Sequence, residues 1–168
     1  MMEIKAEWIG RGGDSPRHHE QVVAMSSIES FLTEDHRQCD LAFVEAERLV
    51  ARGHWQEATG QLTQFADALQ RHFAREEDVL FPAFDAATGS TSGPTAVMRM
   101  EHRQMNGLLD ALREAAARRD RDDCLGHLET LLMLMQQHNA KEEHILYPMA
   151  DRALGDDAAG LVERIRAR

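Results

Sequence analysis

The chain has 168 residues and a formal net charge of −10, and aromatic residues make up only 5% of it. That length is one domain with enough interior for a real core, and the scarcity of aromatics and prolines favours helix over sheet. The acidic balance excludes non-specific binding to nucleic acid or to an anionic membrane, both of which need a basic face.

Residues 1–25 read as an N-terminal arm: a brief alternation of Ile4, Ala6 and Trp8 precedes the turn-like stretch RGGDSPRHHE, and Trp8 is expected to lie on the rest of the protein. A first helix is predicted from Ser27 or Ser30 to Ala51, with Phe31, Leu32, His36, Cys39, Phe43, Ala46 and Leu49–Val50 recurring at helical spacing. Gly53 ends it as a glycine after a C-cap does. A second helix runs from Trp55 toward Phe81, with Leu62, Phe65, Leu69, His72, Glu76 and Leu80 inward, and Pro82 is expected to break or kink it.

Residues 87–93 (ATGSTSG) form a loop, and Pro94 opens a third helix that extends to Arg118. Its inward residues are Val97, Met98, His102, Met105, Leu109 and Leu112. A fourth helix follows the polar run ARRDRDD, from Asp122 to Tyr147, and stops near Pro148. His127, Leu131, Leu134, His138, Glu142 and Ile145–Leu146 face in. The resulting fold class is all-α: an up-down-up-down four-helix bundle over residues 26–154, followed by a tail with a short helix over 155–168.

The chain repeats itself. Residues 71–85 (RHFAREEDVLFPAFD) return 66 positions later as 137–151 (QHNAKEEHILYPMAD), with seven of 15 positions identical. Residues 35–40 (DHRQCD) return at the same offset as 101–106 (EHRQMN). Each half therefore carries a lone His followed 36 residues on by HxxxEE: His36 with His72 and Glu76, His102 with His138 and Glu142. At a rise of roughly 1.5 Å per residue the helix legs between these positions nearly match, which brings all four histidines to one level of the bundle.

A His and a Glu four apart on a helix lie on one face and can point at the same spot. Imidazole and carboxylate donors without thiolate suit iron or manganese, with zinc as an alternative. Four His and two Glu exceed one tetrahedral zinc. They suit two octahedral ions, each held by two His, with Glu76 and Glu142 bridging; an oxo or hydroxo bridge would then leave one position open on each ion. Taken singly, each of these residues would be surface charge or an ordinary buried polar group. Six of them on inward faces at one height would be severely destabilising without a metal.

These motifs resemble the hemerythrin-like (HHE) cation-binding domain: HFAREEDVLFP and HNAKEEHILYP, each preceded 36 residues earlier by DHR or EHR. The resemblance covers residues 27–154 and implies a four-helix bundle around a non-haem, oxygen-bridged di-iron centre. The ligands it implies are His36, His72, Glu76, His102, His138 and Glu142. Oxygen-carrying hemerythrins place a second His where this chain has Asn106, and end on His-x4-Asp where this chain has Glu142 and Glu143. The five-histidine carrier site is therefore not reproduced.

The pattern is similar to the four-His, two-Glu form of iron-cluster repair proteins and of hemerythrin-like sensors. It implies a small diatomic ligand or peroxide as partner, for sensing, scavenging or iron handling. Iron-cluster repair or storage, and a peroxide- or O2-reducing di-iron enzyme, are the alternatives. Repair proteins usually carry a Cys-bearing N-terminal domain, and residues 1–25 contain no Cys.

Around these six residues, Glu77 and Glu143 are expected to be solvated or hydrogen-bonded neighbours, and Asp40 and Asn106 to be either partners of the imidazoles or ordinary polar positions. Cys39 reads as a buried thiol, and Tyr147 as packing, since its counterpart in the first half is Phe81. His127 lies roughly 16 Å along its helix from His138 and is no ligand. The longest mostly apolar run, residues 131–135, is far too short to span a bilayer, and residues 1–11 lack the apolar stretch of a secretory signal. Two cysteines in different halves fit a reducing cytoplasm.

Overall fold

A computed structural model describes residues 27–90 and 92–168; the expected arm with Trp8 lies outside them. Helix α1 spans Ile28–Ala51, and Ser27 caps it by accepting from the Ser30 N–H at 3.0 Å. Its other end closes at Gly53, whose φ of +70° lets the Gly53 and His54 N–H groups reach back to the Val50 and Leu49 carbonyls. Helix α2 spans Trp55–Arg75, runs through a π-helical turn at Glu76–Leu80 and continues as α3, Phe81–Thr88.

Helix α4, Pro94–Arg118, begins on its proline as predicted. Asp120 caps α5, Arg121–Lys141, by accepting from the Asp123 N–H at 3.1 Å. A second π-helical turn, Glu142–Leu146, carries α5 into α6, Tyr147–Leu154, and α7 spans Ala158–Arg166. The four long helical rods pack each beside its sequence neighbours, and α1 closes the ring against α5. No strand occurs among the described residues, and none of their helices is long and apolar enough to cross a membrane.

The prolines do not end the second and fourth rods, contrary to the sequence expectation. In an α-helix Pro82 would clash with the carbonyl four residues back and remove a hydrogen bond. Here the turn widens so that the Phe81 N–H bonds the Glu76 carbonyl, five residues back, and the Tyr147 N–H bonds that of Glu142. Pro82 has no N–H to offer the Glu77 carbonyl, and Arg99 Nη1 donates to it instead at 3.2 Å. The predicted loop at 87–93 accordingly begins only after Thr88.

The widened turn also shifts the helical phase of the residues within it. Leu146 is buried while Ile145, expected inward beside it, is 54% exposed. Val97, expected inward, lies one residue ahead of the buried Met98 at the edge of the apolar stripe and is exposed.

The interior consists of two apolar clusters. One lies toward the α1–α2 and α4–α5 turns and includes Cys39, Phe43, Phe65, Phe73, Met105 and Met135; Phe43 and Phe65 meet edge to face at 5.4 Å. The other, at the opposite end, gathers Ile28, Leu32, Leu80, Phe81, Leu146 and Tyr147 around the buried face of α7, formed by Leu161, Val162 and Ile165. The polar residues of the repeated motifs lie between the two.

Candidate metal centre

The six side chains predicted as ligands converge. His36 comes from α1, His72 from α2, His102 from α4 and His138 from α5, while Glu76 and Glu142 each begin a π-helical turn. All six are between 0 and 2% exposed. Their donor atoms fall into two overlapping groups, one of His36, His72 and Glu142, the other of Glu76, His102, His138 and Glu142, each within 4.8 Å.

The histidines pair within each half. His36 Nε2 stands 3.0 Å from His72 Nε2, and His102 Nε2 stands 3.0 Å from His138 Nε2. The two glutamates span the pairs. Glu142 Oε1 lies 3.2 Å from His138 Nε2 and its Oε2 lies 3.2 Å from His36 Nε2. Glu76 Oε2 lies 3.2 Å from His102 Nε2 and 3.5 Å from His72 Nε2.

Each imidazole is oriented from behind by a carboxylate on Nδ1. Glu143 Oε1 holds His36 at 2.7 Å, Asp35 Oδ2 holds His72 at 3.1 Å, Glu77 Oε1 holds His102 at 2.8 Å and Glu101 Oε2 holds His138 at 2.8 Å. A carboxylate there accepts the Nδ1 proton and turns the Nε2 lone pair inward, the arrangement that orients metal-binding histidines. Glu77 and Glu143 thus sit beside the imidazoles, as expected. Asp40 and Asn106 do not hold them: all four Nδ1 positions are filled by other residues, and Asn106 instead accepts from Gln70 at 3.2 Å.

The partners that sequence reasoning missed are Asp35 and Glu101, each directly before a lone His. The repeated acid at that position was the available signal. Their outer oxygens bind Arg75 at 2.6 Å and Lys141, two cations also related by the repeat. Burial opposes the charge of Asp35, but the bonds from His72 and Arg75 outweigh it and hold its carboxyl below the usual range. Glu101 is lowered in the same way, burial being overcome by Lys141 and His138.

The donor set demands positive charge at its centre. Nε2 lone pairs 3.0 Å apart repel unless a proton or a cation stands between them. Glu76 Oε2 and Glu142 Oε1 are buried without a hydrogen bond, since their approaches to imidazole are close but not aligned. Glu142 is held well below the carboxylate range, burial being outweighed by His138 and His36. His138 is pushed up to about 9, against its burial, by the Glu142 carboxylate 3.2 Å away, and His36 is raised by the same carboxylate. Two buried carboxylates facing four imidazoles are what a multivalent cation neutralises. The residues fit a metal site.

Tyr147 is the third residue that sequence reasoning missed. Its ring packs as expected, 5.7 Å from that of His36, but its hydroxyl reaches into the centre. It donates to Glu76 Oε1 at 2.6 Å and lies 3.0 Å from Glu142 Oε2 and 3.1 Å from His36 Nε2. Burial, together with the Glu142 and Glu76 carboxylates, raises its pKa far above the ordinary phenol value. Cys39 is 2% exposed and its thiol is pushed up to about 12 by burial and by Asp35, so it is inert rather than redox-active.

No solved structure matches the chain significantly. A curated relative, the iron-sulfur cluster repair protein YtfE of Edwardsiella ictaluri (strain 93-146), is 34% identical over 106 residues, covering 57% of this chain and 46% of the relative. The chain thus spans about half the length of the curated relative it matches. The model of the hemerythrin HHE cation-binding domain matches residues 27–150. With that match, the duplicated HxxxE motifs and the buried His/Glu layer at their meeting point, the chain belongs to the hemerythrin HHE cation-binding domain family.

Proposed function

We propose that the chain holds a non-haem di-iron centre and binds a small diatomic molecule or peroxide there, for sensing, scavenging or iron handling. His36 and His72 would hold one ion and His102 and His138 the other, with Glu76 and Glu142 shared between them. The observation that carries this reading is the pairing of the Nε2 atoms, two and two at 3.0 Å, with Glu142 presenting one oxygen to each pair. Iron in these positions supplies one-electron redox chemistry and open coordination. The protein's own contribution is to exclude water with two apolar clusters and to fix each imidazole through its Nδ1 carboxylate. Cys39 and Cys124 are both buried and unpaired, which supports a reducing, cytoplasmic setting.

The test is metal content with an optical spectrum, on protein purified without a metal-affinity tag and reconstituted anaerobically with Fe(II). Two irons per chain, with near-ultraviolet charge-transfer bands that change on adding nitric oxide or azide, is the expected result. One zinc, or no iron after reconstitution, overturns the reading.

A second reading, iron-cluster repair, is favoured by the likeness to the Edwardsiella repair protein. In that case iron is cargo. It would pass to an apo iron-sulfur acceptor faster than to a chelator of equal affinity, whereas a sensing or scavenging centre retains its iron in the presence of the acceptor.

A further inference from the structure

The two most exposed large apolar side chains among the described residues, Leu41 at 66% and Val44 at 59%, stand one turn apart on α1. Leu41 is bracketed by the buried Cys39 and Phe43, two positions to either side, so it points away from the core. The other half of the duplication has no such pair, since α4 carries Gly107 and Asp110 at the matching positions. The bundle therefore does not require an apolar residue at either place.

Charge is ordered around the pair. Glu34, Arg37, Leu41, Val44 and Arg48 follow one another at the alternating three- and four-residue spacing of a helix seam, and the first four of them help to line a shallow surface groove. Arg37 pairs with Glu34 at 3.1 Å and Arg48 Nε donates to Glu45 at 2.8 Å, both on the exposed face.

Two such helices laid antiparallel about a two-fold axis at Leu41 match along this whole face. Leu41 meets its own copy, and Val44 meets the stem of the partner's Gln38. Glu34 comes level with the partner's Arg48, and Arg37 with the partner's Glu45. The ion pair already present at one end of each face then joins that at the other end of its mate, and the four charges close into a ring of alternating sign. One ring flanks the apolar centre on each side. A parallel pairing would instead set Arg37 against Arg37 and Arg48 against Arg48, which like charge disfavours.

We propose that the outer face of α1 is a self-association surface, through which two copies of this chain pack antiparallel with Leu41 on Leu41. This interface does not depend on what the metal centre binds. Two apolar side chains from each copy and a rim of exposed ion pairs make a small contact, that of a weak dimer set by concentration.

Sedimentation of the full chain over a wide range of concentrations tests it. The wild type is expected to pass from monomer to dimer between micromolar and millimolar concentration. Leu41→Glu should stay monomeric, with its melting temperature in dilute solution unchanged. Arg37→Glu should weaken the dimer by about tenfold, because both rings are broken, and adding Glu45→Arg should restore it. A double variant that associates less than the single one overturns the proposal, because the charges then serve only α1 itself. A wild type that remains monomeric throughout overturns it too. So does a dimer that survives Leu41→Glu, which would lie on another face. A lowered melting temperature of dilute Leu41→Glu also overturns it, since residues of the same chain would then cover this face.

Discussion

Asp151 reaches back across 123 residues of sequence to the start of α1, where Oδ1 accepts from the Ile28 N–H at 2.9 Å and Oδ2 from the Glu29 N–H at 3.1 Å. Its repeat partner Asp85 serves the start of α4, accepting from the Thr95 hydroxyl at 2.7 Å. The last identical acid of the duplicated stretch thus fixes the beginning of the helix that carries each lone histidine. Free N–H groups at a helix start favour such a carboxylate. Replacing Asp151 by Ala removes two capping bonds and is expected to destabilise the protein by about 1–2 kcal/mol. Asp85→Ala removes one side-chain hydrogen bond and a loose ion pair with Arg99 at 3.9 Å and costs less, an order that denaturant unfolding of the two variants would check.

The Nδ1 carboxylates should govern metal affinity rather than folding. Glu101→Gln keeps the shape but weakens the acceptor behind His138, and an affinity loss of roughly 10- to 100-fold is expected. Competition with a chromophoric chelator measures it. Thermal unfolding of the metal-free variant should change far less than its metal affinity does.

Metal loading should depend on pH over an unusually high range. In the metal-free protein His138 is pushed up to about 9, and His36 is raised as well. Protons therefore compete for Nε2 well above the ordinary imidazole range, and apparent metal affinity rises with pH until about 9. The same shift has the opposite sign for stability: the protonated His138 contribution is fully present below its unfolded pKa of roughly 6.5 and is lost as pH rises through about 9. Melting of metal-free protein from pH 7 to 10 should show a falling midpoint, and metal-loaded protein should not.

Helix α7 is part of the interior rather than an appendage. Ile165 is fully buried in the cluster with Ile28 and Leu80, Arg166 lies 5.5 Å over the Phe31 ring, and Arg168 pairs with Asp78 at 2.6 Å. Ile165→Ala should cost about 2–5 kcal/mol, whereas Arg168→Ala, which breaks an exposed pair, should cost under about 1 kcal/mol. Chemical denaturation distinguishes the two.

The duplicated stretches carried most of what the sequence could say. Spacing alone brought His36, His72, His102 and His138 to one level, because helix rise and short turns leave little freedom. What spacing could not convey was the local widening at Glu76 and Glu142. A proline after an α-helical pattern reads as a stop, and only the folded chain reveals that a turn bonded five residues back accommodates it. The phase error at Ile145 has this one origin. The part played by Asp35 and Glu101 was hidden for another reason: an acid on the margin of an amphipathic stripe looks solvated until a facing helix supplies the imidazole. Tyr147 was masked by its own counterpart, since a Phe at the matching position points to packing and hides the hydroxyl.

The division of the apolar interior by a polar layer bears on how the molecule comes apart. Neither cluster extends through the bundle, so inside the four rods the two apolar ends meet across Glu76, Glu142 and the four imidazoles. Emptied of metal, that layer is expected to be where the end formed by α3, α6, α7 and the first turns of α1 and α4 opens as a sub-global unit while the turn-side cluster holds. Filled, it is a weld, and hydrogen exchange at the two ends should then proceed with one common protection.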